Sequence, residues 1–296
     1  MLSGVVFGVL AALMQAISYL FSASFIQRHR SSPVMHLIMV HIVIGLLSVI
    51  SLPLIWHPKA FDISNYFITL VSAATTYMFA QYALYQAIHN SVASRVSPLL
   101  GLKILVLAVM GYALFDETYT FLQWGAVGLC IAGALWLSAS GGKISLKALT
   151  WVIIACIGYA LSDISILHLM KHFQSLPLFE AALLSVSLSF SLCGLTSLLF
   201  LPKIKSLKLV IASAPAAVSW FIAMLFLFAC FAEIGVVFGG IVQSSRGLIS
   251  ILLALFVVAM SLNFSDPIPP RSVLVQRILA ASLMMVAITL FSLDKV

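Results

Sequence analysis

Long apolar runs alternate with short polar hinges along the whole chain of 296 residues. Each run is close to the roughly 20 residues that a helix needs to cross the hydrocarbon core of a bilayer. Helices are expected because lipid offers no hydrogen-bond partner to a backbone amide or carbonyl. The pattern predicts ten spans, at about residues 2–26, 33–56, 65–88, 91–115, 119–139, 147–170, 177–201, 206–232, 235–262 and 271–292.

The composition indicates a membrane protein and argues against a soluble one. Charged residues make up 8% of the chain, whereas soluble domains carry roughly a quarter. Most Lys and Arg residues lie in the hinges, so the net charge of +7 reflects membrane topology and predicts no binding to nucleic acid. No hinge can hold a catalytic domain, and no nucleophile motif or phosphate loop occurs. We therefore expect no enzyme activity, no catalytic residue and no cofactor.

The two halves of the chain resemble each other at a shift of 144 residues. The clearest matches are prolines that open or close apolar segments, namely Pro33 with Pro177 and Pro58 with Pro202. The sequence therefore predicts an all-α membrane protein of ten transmembrane helices, with one five-helix repeat over residues 1–143 and a second over 144–296. Because five is odd, the second repeat would cross the bilayer inverted, as in alternating-access transporters.

The end of the first repeat carries an ordered motif. Its residues are Ala83-Leu84-Tyr85, the hinge His89-Asn90-Ser91-Val92-Ala93, Pro98, Glu117-Thr118, Gln123-Trp124-Gly125, Gly128 and Gly133. With this motif the chain resembles the EamA-type, ten-helix members of the drug/metabolite transporter superfamily. The chain departs from the family at Asp116, where a glycine is usual, and at Ser261-Leu262, where the second acidic loop would lie. The resemblance implies a transporter of small metabolites whose central cavity is lined by helices one to four and six to nine.

Three charged residues lie well inside predicted spans: Lys103, Asp163 and Arg246. Each costs roughly 2.5–3.5 kcal/mol at a helix centre. The shift of 144 maps Leu102 onto Arg246, so the two cations occupy adjacent repeat-related positions. We expect them to hold an anionic group of the substrate, with Asp163 acting in coupling to protons. The alternative is a structural ion pair between Asp163 and one of the cations.

Polar and aromatic residues of the first, third and ninth spans are further candidates for substrate contacts. Gln81 and Tyr85 are four residues apart and share a helix face, although contacts between helices would use the same residues. The polar stretch 243–247 predicts either a loosened helix at the cavity or a Ser-rich helix contact. The predicted substrate-binding residues are Lys103, Arg246, Gln243, Gln15, Tyr19, Gln81 and Tyr85, with Asp163 as the coupling residue.

No metal site is predicted. His168 and His172 share a helix face, but no third ligand is evident. The four cysteines lie inside apolar runs and are interpreted as reduced packing residues.

The sequence thus predicts a secondary transporter that moves a small polar metabolite, anionic or zwitterionic, by alternating access. One alternative is a transporter of a cationic or aromatic metabolite, recognised by aromatic residues and Asp163. The other alternative is an intramembrane enzyme. The expected partners are a small-molecule substrate, the lipid bilayer and protons, in a monomer or homodimer. The expected location is multi-pass in a bacterial inner (plasma) membrane.

The hinge charges predict an orientation. The odd-numbered hinges carry Arg28, Arg30, Arg95, Lys143, Lys147, Lys203, Lys205, Lys208 and Arg271, and the other side carries Lys59, Lys171 and Lys295. Because Lys and Arg concentrate in cytoplasmic loops, this distribution favours both termini outside the cytoplasm. The resemblance implies the opposite orientation, with both termini in the cytoplasm.

Overall fold

The computed structural model describes residues 1–91, 96, 99–139, 145–204 and 206–246, and scattered positions from 249 to 291. Within these residues the regular structure is helical and contains no strand. Several features predicted from the sequence lie outside the described residues: Arg95, Pro98, Lys143, Lys205, Gly247, the loop around Ser261-Leu262, Arg271 and Lys295.

The described helices follow the predicted spans closely. They are α1 Leu2–His29, α2 Pro33–Ile55, α3 Ile63–His89, α4 Lys103–Phe115, α5 Phe121–Ala139, α6 Leu146–His172, α7 Leu178–Leu198, α8 Leu207–Ala212, α9 Ala214–Ile234 and α10 Val236–Gln243. Short 3₁₀ turns lie at Pro58–Phe61, Leu100–Leu102 and Leu201–Lys203. The eighth predicted span is divided into α8 and α9 at Ser213.

Six of these helices are long and apolar enough to cross a membrane: α1, α2, α3, α6, α7 and α9. Two shorter apolar helices cover Leu100–Ala113 and Phe121–Trp136. The all-α, multi-pass character predicted from the sequence is therefore confirmed. The count of ten spans stays a prediction, since only scattered positions of the tenth span are described.

Side-chain caps explain where several helices begin. The Ser32 hydroxyl accepts the Met35 amide at 3.2 Å, and the following Pro33 suits the first helical position. In the fifth span Thr120 and Gln123 form a reciprocal capping box, with N–H···O distances of 3.1 and 3.3 Å. Gln123 of the family-like motif therefore has a structural role at the start of α5.

Helix boundaries recur between the two halves of the chain. Shifting α1 by 144 residues gives 146–173, and α6 spans Leu146–His172. Shifted by the same amount, the bounds of α2 agree with those of α7 within one residue. The shifted bounds of α3 agree within one residue with the combined range of α8 and α9. The first three predicted spans of each half therefore have matching helix bounds.

The packing of these helices also follows the equivalence. The main contacts join α1 to α9, α3 to α6 and α2 to α7. If each helix is replaced by its counterpart in the other half, the α1–α9 contact becomes the α6–α3 contact, and the α2–α7 contact stays the same. Similar hydrogen bonds join two of these pairs: the Ser18 hydroxyl donates to the Ala216 carbonyl at 2.8 Å, and the Ser162 hydroxyl donates to the Ala73 carbonyl at 3.0 Å. The donors correspond under the shift of 144, and the acceptors differ by one position.

The second helices of the two halves run in opposite directions where they cross. The hydroxyls of Ser51 in α2 and Ser187 in α7 are 2.7 Å apart. Gly45, which precedes Ser51 in α2, faces Gly194, which follows Ser187 in α7. A Cβ added to Gly45 would lie 2.5 Å from the Gly194 Cα, so the two backbones are in close contact. Glycine is required here because any side chain would push α2 and α7 apart.

Candidate functional site

The fourth and ninth spans both depart from regular α-helix near their charged residues. The 3₁₀ turn Leu100–Leu102 precedes Lys103 at the start of α4. The amides of Ser244 and Ser245 bond carbonyls three residues earlier, at 3.1 Å each, just before Arg246. The shift of 144 maps 100–102 onto 244–246, so the irregular turns are equivalent. Such interruptions in membrane helices are tolerated where the backbone lines a cavity or is buried in protein.

The two alternatives for the stretch from Gln243 to Arg246 both hold in part. The helix departs from regular α-helix at Ser244 and Ser245: the Ser244 amide is shared between the carbonyls of Gly240 and Ile241, and the Ser245 amide bonds the Val242 carbonyl. The Ser244 hydroxyl also lies 3.4 Å from the Cys130 sulfur of α5, which is a helix contact.

Lys103 forms an ion pair with Asp163. The Nζ and Oδ2 atoms are 2.6 Å apart, and the two side chains are 13% and 7% exposed. Lys103 Nζ also donates to Gln243 Oε1 at 3.3 Å. The structural ion pair that the sequence left open as an alternative is therefore present, with Lys103 as its cation.

Two glutamines connect this ion pair to Arg246. Gln243 Nε2 donates to Gln15 Oε1 at 3.2 Å, and the same oxygen accepts a hydrogen bond from Arg246 Nη1 at 2.8 Å. Gln15 and Gln243 are almost fully buried. A continuous polar network thus runs from Asp163 through Lys103 to Arg246, across helices from both halves of the chain.

Arg246 is placed differently from Lys103. Its guanidinium lies 5.4 Å from the centre of the Tyr19 ring, a cation–π contact. Within the described part of the chain, Arg246 forms no ion pair with a carboxylate. The network therefore holds two cations and one carboxylate, and the excess positive charge is on the Arg246 side.

The shift of 144 residues relates the two contacts. Adding 144 to Tyr19 gives 163, the position of Asp163, and Leu102 beside Lys103 corresponds to Arg246. The Lys103–Asp163 and Arg246–Tyr19 contacts are therefore equivalent, each joining a fourth helix of one half to a first helix of the other. A carboxylate balances the cation in one contact, and an aromatic ring stands in its place in the other.

Gln81 and Tyr85 belong to a different part of α3. Gln81 Nε2 donates to the Tyr77 hydroxyl at 2.9 Å, and this hydroxyl lies 3.2 Å from His41 Nε2. Tyr85 is half-buried one turn beyond Gln81. Of the residues predicted to bind substrate, Lys103, Arg246, Gln243, Gln15 and Tyr19 meet in one network with Asp163, and Gln81 has its hydrogen bond in a second cluster.

Trp220 was not predicted from the sequence. It lies in α9, near the middle of the eighth span, and its ring packs against the edge of Tyr19 with centroids 5.7 Å apart. Tryptophan in membrane helices concentrates at the interfaces with water. A tryptophan at the centre of a span was therefore the available signal.

The histidine and cysteine placements offer no metal site. The described residues contain no group of three or more His, Cys, Asp or Glu side chains that could hold an ion. His172 packs against the rings of Tyr66 and Phe173, and the four cysteines are buried and free.

The first half of the chain is similar to a known transporter family. Residues 2–139 match the family model described as the EamA-like transporter family, which confirms the resemblance based on the motif of the first half. No curated protein matches the sequence significantly. A solved crystal structure, described only as a protein, superposes with a TM-score of 0.66 at 14% identity, covering 98% of this chain and 96% of the other. At that identity the similarity shows the fold alone.

Proposed function

We propose that this chain belongs to the EamA-like transporter family, whose model matches residues 2–139, and that it is a secondary transporter of a small polar metabolite with an anionic group. The observation that carries the proposal is the charge of Arg246, which lies within the predicted ninth span and pairs with no carboxylate among the described residues. An unbalanced cation at membrane depth is costly. A substrate carboxylate or phosphate would supply the missing counter-charge, and a guanidinium can bind either with two parallel hydrogen bonds. Anionic and zwitterionic metabolites both fit.

The equivalence of the two cation contacts supports a specific place for the substrate anion. Asp163 neutralises Lys103 on one side of the network. At the corresponding contact with Arg246, the Tyr19 ring is uncharged and does not neutralise the guanidinium. Tyr19 is also 40% exposed. The substrate anion would therefore take the role at Arg246 that the Asp163 carboxylate takes at Lys103.

The proposed transport cycle is alternating access. In this proposal residues 1–143 and 144–296 are inverted five-helix repeats that rock against each other around the network. The recurrent helix bounds and the opposite directions of α2 and α7 support this arrangement. So do the equivalent helix irregularities beside Lys103 and Arg246, since transporters of this type bind substrate at interrupted helices near the midplane. We place the protein in a bacterial inner membrane, as a monomer or homodimer.

Asp163 is the proposed coupling residue. Protonation of its carboxylate would remove the partner of Lys103 and free a second cation for the substrate anion. Proton binding and anion binding would then favour each other, as linkage requires. Lys103 would thus pair with Asp163 when this carboxylate is charged, as in the structure, and would contact the substrate anion when Asp163 is protonated.

The rival functions are less well supported. A cationic substrate would have to compete with Lys103 for Asp163, which is already paired at 2.6 Å. An intramembrane enzyme would need a nucleophile or metal, and the described residues offer no metal cluster. A transporter is also the class to which the family match points.

The test is transport by purified protein in liposomes. Candidate solutes would come from a screen of small carboxylates, phosphates and amines, because a bound substrate raises thermal stability by mass action. We expect a carboxylate or phosphate to enter unchanged, and Arg246→Met to abolish its uptake. Uptake of an amine cation in place of any anion, or chemical conversion of the solute, would contradict the proposal.

A further inference from the structure

The indole N–H of Trp220 is a buried donor without a partner. Trp220 is 8% exposed, and its Nε1 atom forms no hydrogen bond among the described residues. A buried donor left without an acceptor costs stability, so most such groups in folded proteins are satisfied. An unsatisfied one within a membrane span calls for an acceptor beyond those that the described residues provide.

Trp220 and Arg246 flank the same aromatic side chain. The indole ring contacts the Tyr19 ring at 5.7 Å and 62°, and the guanidinium lies over that ring at 5.4 Å. The hydrogen bond from Ser18 to the Ala216 carbonyl holds α1 against α9 beside these rings. Trp220 is therefore positioned at the same level of the membrane as the proposed anion site.

The chemistry of the two groups restricts what they can bind together. Indole and guanidinium both donate hydrogen bonds and accept none. A ligand atom that satisfies both must be an acceptor, and the charge of Arg246 favours an anionic oxygen. The rings of Tyr19 and Trp220 add apolar surface beside that oxygen, which suits a planar or apolar group next to the acid.

We propose that Trp220 is a third binding residue at the anion site and donates its indole N–H to a carboxylate or phosphate oxygen held by Arg246. This inference rests on the proposed function, because it places Trp220 at the same site. It also makes Trp220 a determinant of substrate choice, since a ligand without an acceptor at this position leaves the indole unsatisfied.

The test is the indole N–H resonance of Trp220 in protein labelled with ¹⁵N-tryptophan. The chain has five tryptophans, so five indole signals are expected, and the one missing in Trp220→Phe is that of Trp220. If Trp220→Phe fails to fold, single Phe variants of the other tryptophans assign the signal by elimination. The probes are acetate and inorganic phosphate, which separate the two acceptor classes.

The expected result is a saturable downfield shift of the Trp220 signal with one probe, absent in Arg246→Gln. Trp220→Phe should weaken binding of that probe about tenfold in calorimetry, as expected for a lost hydrogen bond to a charged group. A Trp220 signal that does not move while Arg246-dependent binding is measured would overturn the role of Trp220 and leave the proposed function standing. Probe binding that is the same in wild type and Arg246→Gln would overturn the anion site itself.

Discussion

Lys103 and Arg246, both half-buried, differ in what balances their charges. Lys103 has a carboxylate at 2.6 Å, and Arg246 has an amide oxygen and an aromatic ring. A buried ion pair contributes little net stability, but removing one member leaves the other uncompensated. Lys103 and Arg246 should therefore respond differently to neutralisation, although they occupy adjacent repeat-related positions.

Replacing Lys103 by Met should destabilise the protein. The change leaves the Asp163 carboxylate buried without a cation, and removal of one partner from a buried pair costs about 3–5 kcal/mol. We expect a lower melting temperature in detergent and a lower folded yield. The companion change Asp163→Asn should restore much of both. If Lys103→Met is as stable as wild type, the ion pair has no structural role.

Replacing Tyr19 by Asp should abolish anion binding. It places a carboxylate at the position equivalent to Asp163, beside the guanidinium of Arg246. The new carboxylate would then pair with the Arg246 guanidinium, so the substrate anion could no longer bind to it. Tyr19→Phe is the matched control, since it keeps the ring beside Arg246 and removes only the hydroxyl. Calorimetry on the two variants checks the prediction, which fails if Tyr19→Asp binds the anion as Tyr19→Phe does.

At the scale of the helices, the crossing of α2 and α7 sets how closely the two halves approach. Gly45 and Gly194 allow backbone contact at this crossing, because neither residue carries a Cβ. The same pair of helices carries the Ser51–Ser187 hydrogen bond. We expect this crossing to act as a fixed point about which the halves move.

Adding a methyl group at the crossing should be destabilising. In Gly45→Ala the new Cβ would meet the Gly194 Cα at 2.5 Å, so the helices must separate. Overpacking of this kind costs about 1–3 kcal/mol. Gly125→Ala in α5 is the matched control, because a Cβ there meets no atom within 4 Å. Melting temperatures in detergent compare the two. Equal stability of both variants would show that the α2–α7 contact is not tight.

Helix ends and helix identities were largely predictable from the sequence. Proline, serine caps and charged hinges are local signals, and they predicted the starts of α2 and α6 within one residue. Which side chains of different helices form a contact is not determined by neighbouring residues in the sequence. The sequence therefore gave no basis for deciding whether Asp163 pairs with Lys103 or Arg246. The division of the eighth span at Ser213 was also missed, because its apolar pattern is continuous.

The site shows the same contrast. Lys103, Asp163 and Arg246 were predictable because charge within an apolar run is conspicuous. Gln15 and Gln243 were predictable as polar residues, but the hydrogen bonds that Gln15 Oε1 accepts from Gln243 and Arg246 depend on how α1 packs against α10 and the residues that follow it. Trp220 was missed although a tryptophan inside a span is unusual. Its buried N–H, which forms no hydrogen bond among the described residues, is visible only in the structure.

For the whole molecule, the charges outside the spans are distributed unevenly. The odd-numbered hinges hold most of the Lys and Arg residues. The described carboxylates near the even-numbered hinges are Asp62, Asp116, Glu117, Glu180 and Glu233. With the ten predicted spans, these five carboxylates lie on the side opposite to most of the basic residues, whereas Asp266 shares the ninth hinge with Arg271.

The charge distribution predicts the orientation of the chain. Since basic loops remain in the cytoplasm, both termini should lie outside it. A reporter fused to the C-terminus that is active only outside the cytoplasm should give a signal, and a cytoplasmic reporter should not. A cytoplasmic signal would show that the orientation implied by the family resemblance is correct and that the hinge charges do not decide it.

The central claim is that Arg246 holds the anionic group of the substrate. Calorimetry on well-folded protein tests it most directly, with the anionic solute that the stability screen identifies as ligand. Arg246→Met should bind more than tenfold more weakly than wild type, a loss of over about 1.4 kcal/mol. Arg246→Lys should restore only part of the affinity, because the planar fork of the guanidinium is lost. If Arg246→Met folds and binds the anion as wild type does, the account is wrong.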